Sequence, residues 1–365
     1  MERDASLRIR SVTRIRSLVI DRQNKLKLII QIPCLNEEET LPLTVAEIQR
    51  QIPGVDCVEL LVIDDGSTDR TVQVARDLGV DHIVSHRGNR GLAVAFQTGL
   101  DACLRAGADI IVNTDADNQY PGRYIPELIA PILKGEADMA VAVRQVQKVS
   151  YFSPMKRFLQ GAGSTAVRFV SGTSVPDAPS GFRAISREAA MRLNVVTRYT
   201  YTIETVVQAG NRNMRVAHIP IVTNPHTRES RLFNSMWTYV SRSAVTILRL
   251  FALYEPLKVF TWLSFPFFLV GMALLLRFLW FFISEGGGLG DRLIQSVIIG
   301  VASVIIGFLV FLFGILADLV ATNRRLHEDA LYYLKRLNFD KDSTETNIEL
   351  HNGREVDSET PDPGN

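Results

Sequence analysis

The 365-residue sequence has few cysteines, almost no excess charge and no long apolar run near its start. Its three cysteines, Cys34, Cys57 and Cys103, have neither the even number of a disulfide framework nor the spacing of a metal site. Reduced thiols in a domain that faces the cytosol are therefore expected. The net charge of +1 gives no global basis for binding nucleic acid, so no nucleic-acid partner is predicted.

Arginines are frequent in the first 26 residues, but no apolar segment of signal-peptide length accompanies them. We therefore expect residues 1–26 to remain as a basic N-terminal arm. Contact with anionic lipid and simple solvation are both open interpretations of this arm, and the sequence assigns it no function.

Residues 27–231 alternate short β-branched runs with helix-length amphipathic segments. This alternation predicts an α/β domain with a mostly parallel central sheet, whose inner strands are buried on both faces. The runs that predict strands are KLKLIIQIP, CVELLVID, DHIVSH, ADIIVNTD, ADMAVAVR and MRVAHIPI. The segments that predict helices are Glu39 to Gln51, Asp69 to Leu78, Gly91 to Ala106 and Arg123 to Leu133.

The composition changes after residue 225, where apolar side chains become much more frequent. Spacings of three and four predict amphipathic juxtamembrane helices at residues 232–256, lying in a membrane interface; packing against the globular domain is the alternative. The apolar stretches Val259 to Ile283 and Leu293 to Ala321 each exceed the roughly 20 residues that span a bilayer. Residues 257–323 are therefore predicted to form a two-helix transmembrane hairpin.

Basic residues flank this hairpin, while its connecting loop, SEGGGLGD, contains no Lys or Arg. The positive-inside tendency then places the α/β domain and both termini in the cytoplasm, on an integral membrane protein surrounded by lipid. Arg277 lies within the first stretch, where a charge costs about 2.5–3.5 kcal/mol unless it reaches the interface or a protein partner. A homo-oligomer formed through the hairpin is one way to supply that partner. The acidic tail, residues 324–365, is predicted to be disordered from about residue 340.

Two carboxylates follow the apolar run ADIIV, in the stretch NTDADNQ. Because alternate residues of a strand point the same way, we expect Asp115 and Asp117 to converge beyond the strand's carboxyl end, where open α/β sheets bind ligands. Oxygen donors there favour Mg²⁺ or Mn²⁺, and Gln119 can add a third oxygen. Taken singly, this pattern is also explained by a turn that aspartate caps.

Two other strand ends carry polar groups as well. The second predicted strand runs into DDGSTD, which begins at Asp64, and the first ends in PCLNEEE, which begins at Pro33. The carboxyl ends of parallel strands share one edge, so these groups are expected to border one crevice. Helix capping explains each turn singly but does not explain their common position.

In order and spacing, the motifs P-x-x-N-E, D-D-G-S-x-D, N-x-G and DADNQ resemble glycosyltransferase family 2, which binds nucleotide sugars in a GT-A fold. The resemblance covers about residues 27–232. It implies inverting sugar transfer, with Mg²⁺ or Mn²⁺ held on the donor diphosphate by Asp115, Asp117 and Gln119, and with Asp117 in a catalytic role. The residues that the resemblance places around the donor are Pro33, Asn36, Glu37, Asp64, Asp65, Asn89, Gly91, Asp115 and Ala116.

The chemical class of the acceptor is indicated by one position that carries no carboxylate. Members of the family that glycosylate a hydroxyl usually carry an Asp base late in the domain, but the corresponding segment reads YTIET, with Thr205 at that place. A phosphate acceptor needs no base, because it is mostly dianionic at neutral pH, and it needs cationic donors instead. The candidate acceptor-phosphate ligands are Arg144, Lys156, Arg157, Arg183, Arg228, Ser230 and Arg231.

This set resembles the polyprenyl-phosphate glycosyltransferases of the same family. Arg144 matches their post-strand Arg, SGFR their G-F-R/K segment, and RESR their R-x-G-x-S-K region, although the Gly is absent and Arg231 replaces Lys. The resemblance implies transfer of one sugar from a nucleotide sugar to a polyprenyl phosphate, with Arg144 in catalysis and a UDP-sugar favoured over GDP-mannose. Transfer to a lipid hydroxyl, such as that of diacylglycerol, and a non-catalytic nucleotide-binding scaffold are the alternatives.

Overall fold

The computed structural model describes residues 25–144, 176–196, 201–225, 245, 249, 251–284 and 290–355. They belong to two compact units. The first contains the sheet and the last part of the long C-terminal helix, from Lys335, and the second contains the apolar helices up to Leu334. Most of the basic arm and of the predicted juxtamembrane helices lies outside the described residues, so both stay predictions.

The first unit is built on a seven-stranded sheet with the strand order β3-β2-β1-β4-β6-β5-β7. Neighbouring strands are parallel except for β6, which runs antiparallel to β4 and β5. The prediction of a mostly parallel sheet is therefore confirmed. The strands are β1 Lys27–Cys34, β2 Cys57–Asp64, β3 His82–Ser85, β4 Ile110–Asn113, β5 Met139–Arg144, β6 Arg183–Ser186 and β7 Val216–Ile221.

Four of the helices in this unit match predicted segments, with narrower bounds. The largest difference is at α1, which ends at Ala46 instead of Gln51; the β-branched residues Thr44, Val45 and Ile48 lower its helix propensity. The helices are α1 Leu41–Ala46, α2 Thr71–Asp77, α3 Leu92–Arg105, α4 Ile125–Leu133, α5 Arg187–Arg192 and α6 Tyr201–Asn211.

The central strands position the site. In β1 every residue after Lys27 is buried, as are all four residues of β4, which is why both segments are nearly continuous apolar runs. Parallel pairing of β1 with β2 and with β4 brings their carboxyl ends to one edge of the sheet. Cys34, Asp64 and Asn113 are the last residues of these three strands. The polar motifs that follow them therefore start from a common edge.

The second unit contains α7, Pro256–Ser284, and most of α8, Gly290–Glu355. By length and composition, two helical segments in the described part of the chain can cross a membrane, Pro256–Ser284 and Ile294–Phe339. The side chains of Trp262 and Trp280 are 76% and 73% exposed, near opposite ends of α7. Exposed tryptophans at these positions are typical of the two interfaces of a bilayer.

The two apolar helices approach each other closely at glycines. A Cβ added to Gly271 would lie 2.6 Å from Val304 Cγ2, and one added to Gly314 would lie 2.7 Å from Phe260 Cβ. Phe260, near the start of α7, meets the later residue Gly314 of α8, whereas Gly271, farther along α7, meets the earlier residue Val304. The helices α7 and α8 therefore form an antiparallel hairpin. Small residues of this kind let membrane helices pack backbone to backbone.

The tail differs from its prediction. Disorder is expected from about residue 340, but α8 continues to Glu355. Extending an existing helix avoids the cost of nucleation, and the first proline after α8 is Pro361. Within the first unit, Lys335 Nζ pairs with Asp101 Oδ1 at 2.9 Å on α3.

Candidate functional site

The candidate site lies at the carboxyl edge of β4, in residues 115–119, which we call the DADNQ loop. The loop turns tightly: Asn118 adopts a φ of 57°, a left-handed conformation that asparagine tolerates. Asp117 Oδ1 accepts a hydrogen bond from the Gln119 amide at 3.0 Å. Thr44 Oγ1 of α1 donates to the Ala116 carbonyl at 3.0 Å, and Ala116 itself is buried. The backbone of the loop is thus fixed from inside and from α1.

Asp115 lies in a narrow space beside Gly181 and Tyr201. A Cβ added to Gly181 would lie 2.8 Å and 2.9 Å from the two Asp115 carboxylate oxygens and 2.9 Å from Tyr201 Oη. Burial raises the pKa of Asp115 to about 7, and the Asp117 carboxylate adds to this shift, while Arg144 opposes it. The site therefore holds a carboxyl group whose ionised form a nearby cation would favour.

The donor set fits a hard divalent ion. Among the residues that the structure describes, no group of three or more His, Cys, Asp and Glu side chains could hold a metal. The DADNQ loop instead offers two carboxylates and the side-chain oxygen of Gln119. Mg²⁺ and Mn²⁺ are commonly bound by one or two carboxylates together with water and substrate phosphates. A cation here would also stabilise the ionised form of Asp115 that burial disfavours.

A series of buried hydrogen bonds supports Asp115 from the core. Gln31 Nε2 of β1 donates to Asn113 Oδ1 at 2.9 Å. Asn113 Nδ2 in turn donates to the Gly181 carbonyl at 2.9 Å and to Tyr201 Oη at 3.0 Å. Both amide side chains are fully buried. These hydrogen bonds fix the wall against which Asp115 rests, since they tie it to two central strands.

The predicted donor side is formed by the interlocked ends of β1 and β2. The Asn36 amide donates to Ser67 Oγ at 2.9 Å, and Asn36 Oδ1 accepts from the Thr68 amide at 2.8 Å. Asp64 Oδ1 accepts from the Ser67 amide at 2.8 Å. Pro33 and Glu37, also predicted here, are buried at the same edge. The structure therefore brings these four predicted residues together.

Asp65 binds the backbone of a neighbouring loop. Its Oδ1 contacts His86 Nδ1 at 2.7 Å and accepts from the Arg90 amide at 2.9 Å, while its Oδ2 accepts from the Gly91 amide at 2.8 Å. The carboxylate is buried and engaged by the loop that carries the exposed Asn89. Asp65 therefore shapes this loop, and its contact with the donor stays a prediction.

The expected acceptor side contains a fixed guanidinium group. Arg144 Nε and Nη2 donate to the two Asp177 oxygens at 2.8 Å and 2.9 Å, and the Arg144 amide donates to Asp177 Oδ2 at 3.2 Å. The Arg144 side chain is 24% exposed, whereas that of Asp177 is 4% exposed. This bidentate pair holds Arg144 at the end of β5, within electrostatic reach of Asp115.

Arg183 is placed differently from its prediction. Its side chain is fully buried and donates to Ser180 O and to Thr205 Oγ1, and to Thr202 O at 3.2 Å. The guanidinium carbon lies 5.5 Å from the centre of the Tyr201 ring. A direct contact between Arg183 and an acceptor phosphate is therefore contradicted, because β6 directs this side chain into the core, where protein oxygens bind it.

The segment expected to hold a base is also turned inward. Thr205 is buried, and its hydroxyl donates to Tyr201 O at 2.8 Å. Glu204 is 1% exposed and accepts from the Val196 amide at 3.0 Å and from Gln208 Nε2 at 3.3 Å. Neither side chain is placed to deprotonate an acceptor hydroxyl.

The sequence motifs do not include some residues of the site, and some predicted residues lie outside the part of the chain that the structure describes. Asp177 and His86 belong to none of the site motifs and become visible only through tertiary contacts. Tyr201 enters the sequence argument only as the first residue of YTIET, and its contact with Asn113 is not visible there. The remaining predicted acceptor residues, which stay predictions, lie outside the described residues: Lys156, Arg157, Arg228, Ser230 and Arg231.

Comparisons with known proteins agree with this geometry. The chain is 30% identical over 204 residues to the polyprenol monophosphomannose synthase of Mycolicibacterium smegmatis, covering 53% of this chain and 76% of that protein. It is 27% identical over 201 residues to the undecaprenyl-phosphate mannosyltransferase of Micrococcus luteus, covering 52% of this chain and 80% of that protein.

Among solved structures, glucosyl-3-phosphoglycerate synthase from Mycobacterium tuberculosis, in complex with Mn²⁺, UDP-glucose and phosphoglyceric acid, matches with a TM-score of 0.51 at 23% identity. The match covers 63% of this chain and 80% of that one and supports the GT-A fold. The family model described as "Glycosyl transferase family 2" matches residues 29–193. With this match, the relatives and the arrangement of the strand ends, the chain belongs to glycosyltransferase family 2.

Proposed function

We propose that this protein transfers one sugar, with inversion, from a nucleotide sugar to the phosphate of a polyprenyl phosphate at the cytoplasmic face of a membrane. The observation that carries the proposal is the Arg144–Asp177 pair. It holds a partly exposed guanidinium group near the DADNQ loop, whereas Glu204 and Thr205 are buried. A cation beside the carboxylate pair suits an anionic acceptor, and the inward-facing Glu204 and Thr205 do not suit a hydroxyl acceptor.

Asp115, Asp117 and Gln119 would hold a Mg²⁺ or Mn²⁺ ion together with the donor diphosphate. The solved relative with a similar fold contains Mn²⁺ and UDP-glucose, which agrees with this assignment and with a UDP-sugar donor. When bound, the ion supplies electrostatic stabilisation of the charge that develops on the departing diphosphate. The loop residues themselves orient the diphosphate at the strand edge.

The bond changes of the proposed reaction balance without a base. An anionic oxygen of the acceptor phosphate attacks the anomeric carbon on the face opposite to the diphosphate. The new carbon–oxygen bond forms as the bond to the diphosphate breaks, and the nucleoside diphosphate leaves with the electron pair. Since the attacking oxygen carries no proton at neutral pH, Arg144 has only to orient and partly neutralise the phosphate.

The membrane hairpin supports an acceptor that is itself a membrane lipid. The basic residues Lys258, Arg324 and Arg325 flank the apolar parts of α7 and α8, which supports cytoplasmic termini and a cytoplasmic α/β domain. Arg277 is exposed on α7, seven residues before its end at Ser284, so its long side chain can reach the interface. A second copy of the hairpin would offer it another partner, and we include such a homo-oligomer in the proposal.

The proposal predicts that transfer depends on the acceptor phosphate. Full-length protein in lipid nanodiscs, supplied with Mn²⁺ and labelled UDP-glucose, UDP-N-acetylglucosamine or GDP-mannose, is expected to form glycolipid with a polyprenyl phosphate but not with the matching polyprenol. Chromatography of the labelled lipid measures the product, and NMR of its anomeric proton tests inversion. Transfer to polyprenol or diacylglycerol would support the hydroxyl alternative, and metal-linked nucleotide binding without any transfer would support the scaffold.

A second prediction concerns pH. Below about pH 7, Asp115 carries a proton that a metal must displace, so Mn²⁺ affinity is expected to fall by up to about tenfold per pH unit toward acid and to level off above pH 7. Conversely, the metal-free protein is expected to lose stability as pH rises from about 4 to about 7 and to level off above that, because in this range Asp115 is ionised in the unfolded chain but keeps its proton in the folded one. Electron paramagnetic resonance of free Mn²⁺ measures the affinity, and the thermal unfolding midpoint measures the stability. A flat affinity across this range contradicts the prediction.

A further inference from the structure

One carboxylate outside the family motifs joins the end of α1 to two other segments, the DADNQ loop with the residues that follow it and the segment after β7. Glu47 follows the last residue of α1 and is half-buried. Its Oε1 accepts from Asn118 Nδ2 at 3.2 Å and from Asn224 Nδ2 at 3.0 Å, and its Oε2 accepts from the Gly122 amide at 3.3 Å. Three hydrogen bonds therefore converge on this one carboxylate.

Asn224 holds the loop from the other side. It lies just beyond β7, 106 positions from Asn118 along the chain. Its amide donates to the Gln119 carbonyl at 3.0 Å, and its Nδ2 donates to the Asn118 carbonyl at 3.0 Å. Two consecutive carbonyl groups of the DADNQ loop are therefore bound by one residue, whose side chain also binds Glu47.

The approach of α1 to this region is close. A Cβ added to Gly122 would lie 2.4 Å from the Glu47 carbonyl oxygen, so the chain beyond the DADNQ loop lies directly against the end of α1. The loop itself has an irregular backbone with Asn118 at positive φ, and such a backbone keeps one geometry only when contacts from outside fix it. The position of Asp117 is sensitive to these contacts because its carboxylate binds the Gln119 amide.

We propose that Glu47 and Asn224 are positioning residues that hold the DADNQ loop in its metal-binding geometry. The inference rests on the proposed function, since it requires Asp115 and Asp117 to bind a divalent ion. Neither residue belongs to the motifs of the donor or acceptor side. Their effect passes through the loop backbone, at the carbonyl groups of Asn118 and Gln119.

The proposal is tested by exchanging the donor and the acceptor of the hydrogen bond between Asn224 and Glu47. Asn224→Asp removes the donor and places a second carboxylate beside Glu47, so the affinity for Mn²⁺ in the presence of UDP is expected to fall by about tenfold or more. Glu47→Gln keeps an acceptor oxygen and is expected to cost about threefold. In the double variant, the introduced glutamine can donate to the introduced aspartate, so the affinity is expected to recover above that of Asn224→Asp. Electron paramagnetic resonance of bound Mn²⁺ measures each affinity without turnover.

Asn211→Asp, at the exposed end of α6, is the matched control and is expected to bind Mn²⁺ and UDP like the wild type. Thermal unfolding of each variant separates loss of fold from loss of loop geometry. If Asn224→Asp binds the metal normally, or if the double variant shows only the sum of the two single losses, the positioning role is wrong. Wild-type protein that binds no Mn²⁺ with UDP would overturn the proposed metal dependence and this inference together.

Discussion

Replacement of Asp117 by alanine is expected to reduce sugar transfer by about a thousandfold or more. Asp117 and Asp115 are the two carboxylates of the DADNQ loop, and the variant would keep only one of them to hold the divalent ion. The fold should survive, because Asp117 is only partly buried and follows the end of β4. Initial transfer rates at saturating donor, together with circular dichroism, measure the two effects.

Asp77→Ala is the matched control for this experiment. It removes an exposed carboxylate at the last residue of α2, away from the sheet edge that carries the site. This control should retain wild-type rates within about twofold, since surface changes rarely alter stability by more than about 0.5 kcal/mol. An Asp117→Ala enzyme that keeps a tenth of the wild-type rate would remove the metal assignment from the DADNQ loop.

The second large effect is expected for Gly181→Ala. The added methyl group would lie 2.8 Å and 2.9 Å from the Asp115 oxygens and 2.9 Å from Tyr201 Oη, so the carboxylate must move. Because a displacement of about 1 Å at a reacting site can cost a factor of 100, we expect about a hundredfold loss of kcat. The affinity for Mn²⁺ should fall in parallel, which titration with UDP present can measure.

Gly107→Ala controls for general destabilisation. Gly107 follows α3 at a φ of 80°, and a Cβ there would meet no atom within 4 Å. Its replacement therefore introduces backbone strain of about 1–2 kcal/mol without touching the site. Equal losses of activity in the two variants, at equal losses of stability, would mean that Gly181 acts through folding and not through Asp115.

Much of the sheet could be predicted because its central strands are buried. Continuous apolar runs predicted β1, β2 and β4 correctly, and the rule that parallel strands end at one edge predicted the common position of Asp64 and Asp115. The short strand β6 was missed, because its four residues RAIS include an arginine and form no apolar run. The part of α8 up to Glu355 lacks a local signal for another reason: its polar composition is also typical of disorder.

The finer parts of the site depend on contacts that no local pattern contains. Arg183 could be recognised as part of a motif, but the face to which β6 directs it is set by pairing with β4 and β5. Asp177 meets Arg144 across 33 positions of the chain, and Asn224 meets Glu47 across 177. The motif that contains Asp65 does not reveal that two backbone amides of another loop donate to its carboxylate.

The single antiparallel strand has a consequence for how this enzyme can diversify. Because β6 reverses direction, the segment that leaves β5 at Arg144 returns to β6 at the same rim of the sheet, and the Arg144–Asp177 pair fastens its two ends. Lengthening a segment whose two ends are joined costs little conformational entropy, about 0.6 kcal/mol for each doubling of its length. Insertions between Arg144 and Asp177 should therefore be tolerated at little cost in stability, because the two ends stay joined at the rim of the sheet.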